Sequence, residues 1–275
     1  MSVSPQPPGT SRTPRVVTAR KLTRSAGRTA AGRFLAEGPQ AVREALLRTM
    51  TRAPGGVREL FGTTTALRRH PELAAMATEA GVRIRVVTDQ AAAGLSETVT
   101  PQGLVAVCDA LDVDLADVIA SPPRLVAVLA EIRDPGNAGT VLRTADAVGA
   151  GAVVFAGDSV DPYNGKCVRA SAGSLFHLPV VRGVPVAAAI ASLRAAGLQI
   201  LAADAAGDTD LRTADTDGTL ARPTAWVFGN EARGLPEALA MSADMRVAIE
   251  LPGQAESLNL AAAAAICLYA SARAQ

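Results

Sequence analysis

Three short polar clusters carry the residue types that could act on a bound molecule: Asn137 with Arg143 six residues on, Gly229-Asn230-Glu231 with Gly234, and Ser257-Leu258-Asn259. Asn and Ser side chains orient a ligand by hydrogen bonding, and a carboxylate pins a donor. A guanidinium holds an anion or eases the loss of a proton from a neighbouring hydroxyl. Each cluster follows an apolar run, so each reads as a loop at a strand end, where parallel α/β sheets hold small ligands. Asn137 stands near the start of a helix and Arg143 about two turns in, so the two are placed to serve one pocket from above and below. The plainer reading of Arg143 is a surface pairing with Asp146 at i+3.

The elements that must position these loops follow an α/β rhythm. RLVAVLAEI, AVVFAG, LPVVRG, LQILAAD, AWVFGN and MRVAIEL read as six apolar strands with intervening helices, which predicts a doubly wound parallel sheet over residues 123–275. Gly229, Gly234 and Gly253 permit close backbone approach, Pro236 and Pro252 fix turns, and Ser257 is expected to cap a closing helix that begins as an alanine run. An earlier alternation, from Phe34-Leu35-Ala36 through VRELFGT and VRIRVVT to PQGLVAVCDAL, predicts a small α/β domain over residues 15–110. Its first stretch, through Arg33, reads as a basic helix. Residues 1–14, rich in Pro, Ser, Thr and Gly, read as a disordered tail, and the acidic segment 111–122 reads as a linker.

Several chemistries lack their residues. The only G-x-G, Gly149-Ala150-Gly151, follows a helix and precedes a strand, the reverse of the dinucleotide order, and there is no P-loop or Gly-x-Ser-x-Gly elbow. His177 sits at a strand entrance and reads as structural. Cys108, Cys167 and Cys267 are widely spaced and only His70 and His177 accompany them, so buried thiols are expected, with no metal and no disulfide framework. The N-terminus has no apolar signal region and the longest apolar run near the end is too short to span a bilayer, so the expected compartment is the cytosol, with no membrane partner.

With 49% hydrophobic and 19% charged residues the 275-residue chain can bury a real core. Its net charge of +1 hides an asymmetry. Arg12, Arg15, Arg20, Lys21, Arg24, Arg28 and Arg33 fall within the first 36 residues with no acid among them, which leaves −6 for the remainder. That segment reads either as a solvated tail or as a surface for a polyanion. Aromatic residues are only 3%, which argues against a base-stacking sheet.

NAGTVLRTADAVGA, VFGNEARGL and IELPGQAESLN, in that order across about 120 residues, resemble the three motifs of the SpoU-type (TrmH-like) RNA ribose 2′-O-methyltransferases. RFLAEGPQAVREAL and SETVTPQGLVAV resemble the substrate-binding α/β domain that precedes the catalytic domain in several members, and the overall likeness is to actinobacterial ribosomal RNA enzymes of the thiostrepton-resistance kind. The resemblance implies a deep trefoil knot of the SPOUT type in the C-terminal domain, with Gly229, Gly253 and Ala261 to Ala265 small to allow close threading. It implies S-adenosylmethionine as cofactor, held by Gly229, Ile249, Leu251 and Leu258 with Ala203 and Asp204 at the rim, and a homodimer that completes the pocket. Arg143, Asn137, Glu231, Ser257 and Asn259 become the catalytic set. Arg143 would contact the hydroxyl and the adjacent phosphate, Asn137 would orient it or the ribose, and Glu231 would pin Arg143 or close the loop. Ser257 and Asn259 would hydrogen-bond the loops, the donor or the RNA backbone. Ribosomal RNA is the expected substrate, with transfer RNA, or a non-catalytic RNA-binding or ribosome-assembly role, as alternatives.

Overall fold

In the computed structural model, which describes residues 7–275, the chain forms two compact units. One holds everything described up to Leu111 together with Tyr163–Phe176, and the other holds Asp112–Pro162 and His177–Gln275.

The first unit is a four-stranded sheet of β1 (Arg33–Glu37), β2 (Val57–Thr63), β3 (Arg83–Val87) and β4 (Leu104–Asp109), in the order β1-β4-β2-β3. β4 runs antiparallel to both neighbours and β2 pairs parallel with β3. The expected disordered tail is corrected from residue 7 onward, while residues 1–6 lie outside the described residues. Gly9 donates to the Val86 carbonyl and accepts from Thr88, both at 2.9 Å, which ties the segment to β3. The basic segment that follows is two short helices, Pro14–Arg20 and Ser25–Ala31, where one was expected. Gly27 lets them fold together, since a Cβ there would lie 2.0 Å from the Lys21 carbonyl oxygen. Val16, Ala19 and Leu22 pack with Leu35, Phe61 and Val107, so apolar burial fixes a segment whose charge suggested a loose arm.

The Tyr163–Phe176 segment was expected in the C-terminal domain, and its packing places it in this unit. The Tyr163 ring stacks on Phe34 at 4.6 Å, its hydroxyl accepts from the Leu111 amide, and Arg169 pairs with the largely buried Glu37 carboxylate at 3.1 Å. A single buried phenylalanine on β1 therefore recruits chain from far along the sequence.

The second unit is built on β5 (Leu125–Ala130), β6 (Ala152–Ala156), β7 (Val180–Val184), β8 (Gln199–Ala203), β9 (Thr209–Asp210), β10 (Thr224–Phe228) and β11 (Met245–Ala248). Every pairing is parallel, in the order β7-β6-β5-β10-β8-β11-β9. β9 is not among the six strands expected from the sequence. Its two residues give no periodic signal, and it exists only because β11 pairs with it. The expected linker is also part of this unit: Val113 donates to the Val180 carbonyl, and Leu115 and Val118 of the helix Leu115–Ala120 join the core. Their i, i+3 spacing inside an acidic run is what the composition concealed.

Chain order and sheet order diverge at two places. β10 enters between β5 and β8, and β11 between β8 and β9, all three laid down earlier in sequence. β10 is buried on both faces. Ala225 and Val227 meet the core on one side, while Trp226, fully buried, donates from Nε1 to Ser271 Oγ of the C-terminal helix Leu260–Ala274 at 2.8 Å on the other. Ser271→Ala should leave that indole N–H without a partner and cost about 1–3 kcal/mol in chemical denaturation, a larger loss than removal of one small hydroxyl would otherwise give.

Candidate active site at the strand ends

The carboxyl ends of β8, β10 and β11 converge on a cavity of about 160 Å³. Ala203 closes β8, Phe228 closes β10 and Gly229 follows it, and Ile249 follows β11; all four line the cavity. Leu251, Leu258 and Asp204 join them, so the structure gathers Gly229, Ile249, Leu251, Leu258, Ala203 and Asp204 around one hollow. Phe228, Val247, Leu260 and Ala263 also line it. They were not singled out in the sequence because nothing but tertiary position separates them from other core residues.

Gly229 is required by space. A Cβ there would lie 2.4 to 2.6 Å from backbone atoms of Gly234 and Leu235, which fold back so that Asn230 and Gly234 exchange amide hydrogen bonds. Gly234 takes φ +65°, a left-handed backbone that a side chain would strain. Gly253 does not meet the expectation of close threading, because nothing lies within 4 Å of an added Cβ. Of the alanine run, Ala261 and Ala264 are buried and Ala262 is exposed, so only one face of the helix needs small residues.

One carboxylate joins the loops. Glu231 accepts from the amides of Arg133 at 3.0 Å and Asp134 at 2.9 Å, and from Asn137 Nδ2 at 3.3 Å. Asn137 Oδ1 in turn accepts from Asn259 Nδ2 at 3.0 Å. Three loops, after β5, β10 and β11, are thereby held in register. Asp134 caps the helix Pro135–Ala147 through the Asn137 amide, a signal legible as Asp before Pro. Asn230 adds a second tie, donating to the carbonyl of Glu131, a residue held at φ +57°.

The structure divides the expected roles. Glu231 closes the loop and does not touch Arg143; Asn137 is engaged by Glu231 and Asn259. Asn259, not Ser257, is the N-cap of the Leu260–Ala274 helix, its Oδ1 accepting from Ala261 and Ala262, while Ser257 is exposed at the cavity lining. Arg143 is exposed, is not part of the cavity lining, and makes no hydrogen bond or ion pair among the described residues. Its sequence-proposed neighbour Asp146 pairs instead with His177 at 2.7 Å. All three cysteines are buried and none is in a disulfide, and burial pushes the Cys108 and Cys267 thiols up.

On the first unit, Arg12, Arg20, Lys21 and Arg24 are exposed with side chains unpaired among the described residues. Arg33 pairs with Asp109 at 3.1 Å and Arg15 lies 4.0 Å from Glu59. Arg28 is corrected from an RNA-facing to a structural residue: it is buried, and its guanidinium donates to the carbonyls of Leu22 and Thr23.

The chain matches the SpoU rRNA Methylase family over residues 124–269 and the MRM3-like substrate binding domain over residues 13–106. It is 35% identical over 251 residues, 91% of this chain and 92% of that protein, to the 23S rRNA (guanosine(2553)-2′-O)-methyltransferase RlmP of Bacillus subtilis. An AdoMet-bound rRNA methyltransferase from Sinorhizobium meliloti superposes with a TM-score of 0.82 at 32% identity, over 97% of each chain. The SpoU methyltransferase AviRb of Streptomyces viridochromogenes, in complex with AdoMet, superposes with a TM-score of 0.77 at 32% identity, over 94% of this chain and 98% of that one.

Burial acts to raise the Glu231 carboxyl, but its amide donors and Asn137 outweigh it and hold its pKa below the ordinary carboxylate value. A depressed pKa in the folded state means that the joint is fully present above the ordinary value and is lost as pH falls through the depressed one. Glu231→Gln should therefore speed hydrogen exchange at the Arg133 and Asp134 amides by about tenfold at neutral pH, and acid should do the same to the wild type alone. Gly229→Ala should destabilise the fold by about 1–3 kcal/mol in denaturant titration, through the clash with Gly234 and Leu235.

Proposed function

The chain belongs to the SpoU rRNA methylase family, and from that premise we propose that it transfers a methyl group from S-adenosylmethionine to a ribose 2′-hydroxyl of large-subunit ribosomal RNA. The observation that carries this reading is the cavity at the ends of β8, β10 and β11, with the Glu231–Asn137–Asn259 joint beside it.

The lining suits the donor. Ile249, Leu251, Leu258 and Phe228 offer apolar surface to a purine, and among the described residues the only ionisable side chains in the lining are the carboxylates Asp204 and Glu231, which favour a cation. Bound there, the donor supplies a methyl group already activated by its sulfonium charge, so the protein has to place the hydroxyl in line and help it lose its proton. Glu231, Asn137 and Asn259 hold the loops. Ser257 is free at the lining to meet donor or RNA. Arg143, lacking an internal partner, contacts the hydroxyl and its neighbouring phosphate. A guanidinium gives up a proton reluctantly, so it acts by stabilising the developing alkoxide.

Because Arg143 is outside the lining of its own chain's cavity, a second copy completes the site. The helices Pro135–Ala147 and Leu260–Ala274 pack against each other, and the second leaves Ile266 and Tyr269 exposed, which supports a homodimer through this face. The threaded path is supported by the late entry of β10 and β11 between earlier strands, and by the Gly229 and Gly207 sites, where backbone meets backbone too closely for a Cβ. Arg12, Arg20, Lys21 and Arg24, with Arg15 and Arg33 at the margin, supply phosphate contacts. The work belongs in the cytoplasm, where ribosomal RNA is modified; no helix among the described residues is long and apolar enough to cross a membrane.

Incubation with labelled S-adenosylmethionine and total RNA should label 23S RNA at an alkali-resistant linkage. Label in transfer RNA would move the substrate assignment, and no label in any RNA would leave a binding factor. Arg143→Ala should abolish transfer, about 100-fold or more, while donor affinity by calorimetry stays within about twofold. Near wild-type transfer by that variant removes the role given to Arg143.

A further inference from the structure

The two carboxylates of the cavity lining are not equivalent. Glu231 has both oxygens committed, Oε2 to the Arg133 amide and Oε1 to the Asp134 amide and Asn137. Asp204 has only one committed, Oδ1, which accepts from the Ala206 amide at 2.9 Å. Its Oδ2 faces Arg246 Nη1 at 3.8 Å, beyond hydrogen-bond reach.

Arg246 is held off Asp204 by another residue. Its Nη2 and Nε lie 2.6 and 3.2 Å from Asp208 Oδ2, so the guanidinium is docked on Asp208 at the far side of the same loop. The loop cannot adjust freely. Asp204 donates its amide to the Val247 carbonyl, and Gly207 packs so closely on β11 that a Cβ would lie 2.7 Å from the Arg246 carbonyl oxygen. Asp204, Arg246 and Asp208 are thus fixed by backbone on two adjoining segments, with the cation drawn to the outer acid and away from the cavity.

We propose that Asp204 is the carboxylate that distinguishes the charged methyl donor from its spent form, and that Asp208, by holding Arg246, sets how much of the Asp204 charge the cavity feels. The inference rests on the donor reading of the cavity given above. Methyl transfer converts a sulfonium to a neutral thioether and leaves the amino and carboxylate groups of the amino-acid moiety unchanged, so the two forms differ by one positive charge. A carboxylate of the lining with one oxygen free of hydrogen bonds attracts the sulfonium form more strongly than the thioether, which favours loading of S-adenosylmethionine and release of S-adenosylhomocysteine. The role is one of specificity, and Asp204 need take no part in the chemical step.

Calorimetric titration of the full-length protein with each nucleoside tests this. Asp204→Asn should weaken S-adenosylmethionine by about five- to tenfold and leave S-adenosylhomocysteine within about twofold. Asp208→Asn, which frees Arg246 to close on Asp204, should shift the ratio the same way by a smaller factor, with thermal stability as the control for folding. In the wild type the preference for the charged form should shrink as salt rises, a measurement independent of any variant. Equal losses for both ligands in Asp204→Asn would mean that Asp204 serves the shared amino group or the loop, and would overturn the inference, as would no change in either. A wild-type chain that binds both ligands with no salt-dependent preference also overturns it. Failure of the wild type to bind either nucleoside overturns the donor reading itself, and this inference with it.

Discussion

A single carboxylate with three donors is the joint on which the site depends. Parallel strands deliver their loops to one end of the sheet, but no ladder continues past the last paired residue, so each loop must find its own partners or stay mobile. Glu231, two residues beyond Gly229, satisfies the two amides that precede the Pro135–Ala147 helix and so ties the loop after β10 to the loop after β5. The positive end of that helix favours the charge. Asn137, in the first turn of the same helix, carries the connection to Asn259, which is also the cap of the C-terminal helix. Residues 94 to 122 positions apart thus share one polar chain. Together with the Asn230–Glu131 tie it gives the cavity walls a common reference.

The sheet order explains why the joint is needed at this point. β10 and β11 each enter between strands already formed, so the loops that follow them are confined from both sides. Confinement demands small residues where backbones meet. Gly229 and Gly207 meet that demand with contacts under 3 Å to an added Cβ; Gly253, in an open stretch, does not. A glycine in a motif and a glycine in a crossing look alike in sequence, and only the topology separates them.

What was legible followed from periodicity and chemistry at strand ends. The central strands β5, β6 and β10 are apolar runs buried along their whole length, and the three polar clusters meet through Glu231, Asn137 and Asn259 while Arg143 stands outside the cavity lining. What was not legible depended on partners distant in sequence. The Thr209–Asp210 strand exists through β11, the Leu115–Ala120 helix through the core it joins, and Tyr163 through Phe34. Net charge was the least faithful guide: seven cations within 36 residues suggested a solvated tail or a polyanion surface, yet Arg28 is spent on two carbonyls because burying a guanidinium requires acceptors, and Leu22 and Thr23 provide them.

Placement of charge within the second unit follows from the two opposite ions the proposed reaction brings together. A methyl donor is cationic and an RNA strand anionic, and a site that exposed both signs in one hollow would neutralise itself before either arrived. The structure keeps them apart: the cavity lining holds acids and no base, Arg246 is drawn outward onto Asp208, and Arg143 stands exposed on a helix outside the lining. Acid inside suits the hollow to a cation, while the guanidinium outside makes no ion pair among the described residues. Such a division has a structural consequence. Within one chain Arg143 and the cavity lining lie apart, and the C-terminal helix that packs on the Arg143 helix leaves Ile266 and Tyr269 exposed, an apolar surface beside the cation that the proposed reaction needs.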